Sequence, residues 1–134
     1  MTAIAPHQQR REPPRPVSLH LDTGFWYIGT PYSRYLGGID EAFTRACEIT
    51  AAYISQGIPV FSPIVHSHPV AIVGQIDHMA HEIWLPVDRP FMEAAHGLIV
   101  AMLPGWATSK GLNHEIDYFT AAGKPVVFTD PFQA

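Results

Sequence analysis

The sequence predicts an α/β fold, a small, open, mostly parallel sheet with helices on both faces. Two observations predict it. Short apolar and β-branched runs, "FWYIG", "PVFSPI", "GLIVAML" and "PVVF", are separated by longer stretches in which apolar residues recur every three or four positions. The 134 residues, 47% apolar and 15% charged, have the length and composition of one globular domain with its own core.

The first strand is "FWYIG", ended by the loop "TPYS". Asp40 is placed to cap the helix that follows, where Phe43, Ala46, Cys47, Thr50 and Ile54 form an apolar stripe that stops at Gly57 and Pro59. "PVFSPI" then gives a second strand, completing a βαβ unit, whose crossover is right-handed in nearly all cases. The segment "HSHPVAIVGQIDHMAHEIWLPVDRPFMEAAH" reads as one or two helices interrupted near Pro86 and Pro90, with Asp88 capping the last. "GLIVAML" is a buried strand. Residues 110–122 form the next helix, with Leu112, Ile116 and Phe119 on its inner face, and Gly123 ends it before "PVVF". The order βαβ(α)αβαβ is that of a Rossmann-like or flavodoxin-like sheet.

Residues 1–24 contain four prolines and little apolar periodicity, and read as a flexible leader, leaving 25–134 as the folded domain. The leader carries +1 and the remainder −5, so an acidic body argues against a nucleic acid polymer as partner while leaving room for a local pocket for one phosphate. No apolar run approaches the roughly 20 residues of a membrane span and no secretory signal opens the chain, so cytoplasmic residence without membrane contact is expected. Cys47, the single cysteine, cannot form an internal disulfide and reads as a small core residue.

Parallel sheets bind ligands beyond the C-terminal ends of their strands. Tyr27, Gly29, Thr30 and Tyr32 lie at or after strand one, Ser62 and His66 after strand two, and Ser109, Gly111 and Glu115 after "GLIVAML". Asp88, at the start of a helix leading into that strand, falls at the same edge. "TSKG" has the makings of a phosphate cradle, since a helix N-terminus offers unpaired N–H groups, Gly111 admits close approach and Ser109 adds a hydroxyl. The plainer alternative is that Ser109 only caps the helix. Neither a P-loop nor G-x-G-x-x-G is present. Glu115 shares a face with Leu112, Ile116 and Phe119, unlike Asp117, and the helix dipole would keep it ionised beside such a site. Glu115 and Asp88 together are the pair of carboxylates that glycosyl transfer uses, Glu115 as nucleophile.

The motifs "YIGTPYS", "VFSP", "DRPFMEAAHGLIV" and "SKGLNHE" together resemble those of the nucleoside 2-deoxyribosyltransferase-like superfamily, in particular its nucleoside 5'-monophosphate N-glycosidase branch and related uncharacterised bacterial and phage proteins. The resemblance covers roughly residues 25 to 128. It implies a deoxyribosyltransferase-like domain in which Glu115 is the catalytic nucleophile four positions after Gly111. Asp88 would contact the substrate, and Tyr27 would orient Glu115 within a small-residue loop that includes Gly29 and Thr30. Transferases of free nucleosides usually carry an aspartate six positions before the glutamate; Ser109 stands there, as in the monophosphate-hydrolysing branch, and can donate to a phosphate that an aspartate would repel. The loop "LPGWATS" is longer than in well-known hydrolases, and His96 stands where an acidic residue is common.

The resemblance therefore implies a nucleotide monophosphate as ligand, no cofactor, no metal, and a homodimer. Trp26, Tyr32 or Trp106 could stack on a base, and His66 could reach the pocket. Three other activities stay open: deoxyribosyl transfer, nucleotide binding without turnover, and metal-dependent hydrolysis through His66, His68, His78 and His81, whose spacing matches no metal-site pattern.

Overall fold

The computed structural model describes residues 18–131. Four strands form one sheet in the order β2-β1-β3-β4, every neighbouring pair parallel. They are β1 (Trp26–Gly29), β2 (Val60–Phe61), β3 (Gly97–Ala101) and β4 (Val126–Thr129). Four helices connect them: α1 (Ile39–Ser55), α2 (Pro63–Gly74), α3 (His81–Ala94) and α4 (Lys110–Ala121). The predicted class is the one observed.

From β1 the chain steps outward to β2, then crosses back over β1 to β3 and continues to β4. With right-handed crossovers that reversal puts α1 on one face of the sheet and α3 and α4 on the other, while α2 packs beside α1, His68 stacking on Phe43. The core divides accordingly. Tyr27, Leu98, Val100, Met92, Leu112 and Phe119 are buried together between the sheet and α3 and α4, while Trp26, Ile58 and Ile99 pack with Tyr53 of α1. The alternation Trp26/Tyr27 and Leu98/Ile99 is the two-residue period of a strand buried on both faces.

Several local expectations need correction. Leu19 and Leu21 pack against the Trp26 cluster, and Trp26 Nε1 donates to Leu19 O at 2.7 Å, so the folded part begins before Phe25. The rest of the leader reading falls on residues 1–17, which lie outside the described residues. The cap of α1 is Gly38, whose φ of 92° suits glycine; Asp40 sits inside the first turn, where its charge complements the dipole. Ile54, predicted at the end of the inner stripe, is 59% exposed.

The "PVFSPI" strand is only two residues long, because Ser62 caps α2, accepting from Val65 N at 3.4 Å, and Pro63 begins the helix. The middle segment is two helices, and its break lies at residues 75–80, where Gln75 adopts left-handed φ 56°. Pro86 and Pro90 lie inside α3 and do not break it. Both are exposed and one turn apart, so the carbonyls they leave unpaired face the solvent side. Asp88 is therefore mid-helix, not a cap. At the end of α3, Lys124 Nζ donates to Met92 O at 3.1 Å and Ala95 O at 2.8 Å, tying the helix terminus to the entry of β4.

Candidate functional site

The reversal of strand order lies at β1 and β3, and a crevice opens beyond their C-terminal ends. It holds a cavity of about 270 Å³, near the lower end of small-molecule sites. Tyr27 enters from β1 and Thr30 from the loop just after it, Asp88 from α3, and Ser109, Gly111 and Glu115 from the start of α4.

The N-terminus of α4 forms one wall. Ser109 ends the 3₁₀ turn Trp106–Thr108 and caps α4, its Oγ accepting from Leu112 N at 3.3 Å and its carbonyl from Asn113 N at 2.9 Å. The first two N–H groups of the helix, those of Lys110 and Gly111, take part in neither bond. Because its Oγ accepts, the Ser109 hydroxyl proton is available to a ligand. A β-carbon on Gly111 would meet nothing within 4 Å, so the protein's own packing does not require glycine there. The bare backbone faces the cavity instead. Lys110 lines the same wall and adds a cation that the sequence reading left uncounted.

Behind that wall stands Glu115. Gly29 lies directly beneath it: a β-carbon on Gly29 would come within 2.9 Å of Glu115 Oε1. Gly29 is not itself part of the cavity lining, so its part is to admit the glutamate, not to touch a ligand.

Burial, reinforced by the negative charge of Asp88, pushes Glu115 up to about 8, with Tyr27 pulling the other way by hydrogen bonding. The expectation that the helix dipole keeps Glu115 ionised is thus overturned. Glu115 is the sixth residue of α4, beyond the first turn where the dipole acts, and desolvation wins. Asp88 is raised to about 6 by burial, against an opposing pull from His66. Tyr27 is driven far above its ordinary value by burial and then by the two carboxylates, so it is a phenol and never a phenolate.

Four buried side-chain atoms among the described residues have no hydrogen-bond partner of ordinary geometry. Three of them, Tyr27 Oη, Thr30 Oγ1 and Asp88 Oδ1, belong to this cavity. Tyr27 Oη is turned to Glu115, which leaves Thr30 Oγ1 and Asp88 Oδ1 with no protein partner. Buried polar atoms are nearly always paired, so these two are available to the polar groups of a ligand.

The histidines divide. His66, on α2, is exposed and packs near Phe61 and Phe91 outside the lining, acting on Asp88 only through its charge. His68 is buried and stacks on Phe43 at 4.5 Å, and His78 and His81 line the cavity. Among the described residues no group of three or more His, Cys, Asp or Glu side chains gathers as a metal site. Trp26 is buried against His96, and Trp106 packs on Phe128, so neither faces the cavity. Tyr32 does, joined by Trp84, whose Nε1 is fixed by Asp77 O at 2.9 Å. Trp84 was hidden in the segment whose helix boundaries the prolines obscured. Among the described residues no helix is long and apolar enough to cross a membrane.

Residues 24–130, nearly the whole described chain, match the model of a protein family. The chain belongs to DUF1937, a domain of unknown function. Every residue of the DUF1937 cavity, from Tyr27 to Glu115, falls inside the matched span. No curated protein matches the chain.

Proposed function

We propose that this DUF1937 protein is an N-glycosidase that cleaves the base–sugar bond of a nucleoside or deoxynucleoside 5'-monophosphate. The observation that carries the reading is the convergence of two unpartnered buried polar atoms, Thr30 Oγ1 and Asp88 Oδ1, with a raised carboxylate pair, under a helix N-terminus bearing a serine and a lysine. The phosphate sits on Ser109, Lys110 and the first N–H groups of α4. The sugar lies over Asp88, Tyr27 and Thr30, placing C1' against Glu115.

Near neutral pH the two carboxyl groups hold one proton and one charge between them. Burial makes Glu115 the more basic of the two, so the proton rests mainly on Glu115. The reaction uses the minor arrangement, with the proton on Asp88 and the charge on Glu115, toward which the hydrogen bond from Tyr27 pulls. A Glu115 oxygen attacks C1', the glycosidic electron pair leaves on the base nitrogen, and the base takes the proton of Asp88. Water then attacks C1' of the glycosyl-enzyme, gives its proton to Asp88 and releases the sugar phosphate. Anchoring the phosphate one turn from Glu115 holds the electrophile in place, an effect that can supply several kcal/mol of the barrier. The homodimer that the resemblance implies has a surface available in Ile83, Val87 and Phe91, exposed along one side of α3.

Incubation with a panel of nucleoside and deoxynucleoside 5'-monophosphates, with free base read by chromatography, tests the reading. Release of base from at least one is expected. Binding of monophosphates with no release overturns the catalytic claim and leaves a nucleotide-binding module.

A further inference from the structure

At the opposite side of the cavity from α4, Tyr32 belongs to a chain of three groups. Its hydroxyl is 2.7 Å from His68 Nδ1, and His68 Nε2 is 3.2 Å from Asp40 Oδ1. His68 is held in place by burial and by its stack on Phe43, and the Tyr32 ring is met edge-on by both His68 and His78.

The polarity of this chain is biased from its outer end by Asp40, whose side chain is otherwise 93% exposed. A carboxylate only accepts, so a neutral His68 must carry its proton on Nε2, facing Asp40. Nδ1 is then a bare acceptor, and the Tyr32 hydroxyl must donate to it. The reverse arrangement would turn a lone pair of Nε2 toward the carboxylate. With its proton committed to His68, Tyr32 has only lone pairs left for the cavity. Asp40 also raises the Tyr32 hydroxyl, after burial, so the phenol keeps the proton it donates.

We infer that Tyr32, set by His68 and Asp40, is a specificity-determining acceptor that selects a ligand whose base carries an N–H donor. This rests on the reading of the cavity as a nucleotide site, which defines the ends of the ligand. Ser109 and Lys110 follow β3, whereas His68 is on α2, the helix that follows β2. The strand order sets β1 between them, so a ligand with its phosphate at α4 and its sugar at Glu115 and Asp88 directs its base toward Tyr32. Bases with an amino group or a ring N–H are favoured there, and bases offering only acceptors meet lone pair against lone pair.

Two measurements test this, both at pH 8, where an ordinary imidazole is neutral. Nitrogen NMR of ¹⁵N-histidine-labelled free protein, with the His68 signal assigned by its loss in His68→Asn, is expected to show the Nε2–H tautomer. The Nδ1–H tautomer overturns the inference without any ligand. Calorimetry in the Glu115→Gln background, which prevents turnover, compares adenosine 5'-monophosphate with purine riboside 5'-monophosphate, and cytidine 5'-monophosphate with its 2-pyrimidinone analogue. In at least one pair the amino-bearing base is expected to bind about fivefold tighter or more, the worth of one hydrogen bond, with the ratio falling to about one in Tyr32→Phe. Monophosphates that bind better than their nucleosides but show no difference within either pair overturn the acceptor role and leave the nucleotide reading standing. No binding of any monophosphate overturns both.

Discussion

Gly29 and Glu115 occupy space that cannot be shared: a β-carbon on the glycine would overlap Leu112 Cδ1, stand 2.9 Å from the glutamate Oε1 and press on Leu98 Cδ1 at 3.3 Å. Gly29 ends β1 and Glu115 is in the second turn of α4, so the carboxylate reaches the cavity floor only because the strand end has no side chain. Gly29→Ala is expected to lower stability by about 1–3 kcal/mol through overpacking. It should also reduce base release at least about 10²-fold by displacing the carboxylate, read by denaturant titration and free-base assay together. Loss of stability with unchanged turnover would mean that the position of Glu115 is not critical.

Glu115→Gln keeps the size of the side chain and removes its charge. Base release should fall by at least about 10³-fold, as for a lost nucleophile, while the exposed Asp117→Asn changes little.

Stability should move the other way. The carboxyl of Glu115 is raised from 4.5 to about 8 in the folded protein, so between those values the native state holds a proton that the unfolded chain has lost. Stability therefore falls as pH rises through that window and stays reduced above it. Glutamine removes the penalty, so Glu115→Gln is expected to melt several degrees above the parent at pH 9 and close to it at pH 4, by calorimetry. Equal melting temperatures at pH 9 would show that Glu115 is not desolvated.

The pH dependence of base release should be bell-shaped, because the step needs one proton across the carboxyl pair. The acid limb is expected near about 6 and the alkaline limb near about 8, both belonging to the pair. In Asp88→Asn the weakened activity should show a single limb rising with pH below about 8, since Asp88's charge is one of the causes that raise Glu115.

Phosphate recognition can be separated from chemistry. A monophosphate should be cleaved at least about tenfold faster than its nucleoside, the value of one charge-assisted hydrogen bond. Lys110→Ala should shrink that preference, and Ser109→Asp should reverse it by placing a carboxylate where the dianion sits. Equal kcat/KM for both substrates in the parent protein would remove the phosphate cradle.

The sequence by itself determined the alternation of strand and helix, the parallel order and the edge where polar residues gather, because periodicity, caps and turns are local properties of a chain. Ser109, Asp88, Tyr27, Thr30 and Glu115 were legible as candidates for that reason. Only the tertiary structure decided what those residues are. Gly29 proved to be the floor under Glu115, not a ligand contact, because closeness between β1 and α4 depends on how two elements pack. His66 fell outside the cavity, and His68, indistinguishable from it in "HSH", became the link between Tyr32 and Asp40, because one helical step of two residues turns a side chain through about 200°. The protonation of Glu115 followed the same rule. The helix dipole can be read from position along a helix, but desolvation depends on every neighbour the fold supplies, and at this site it is the larger effect.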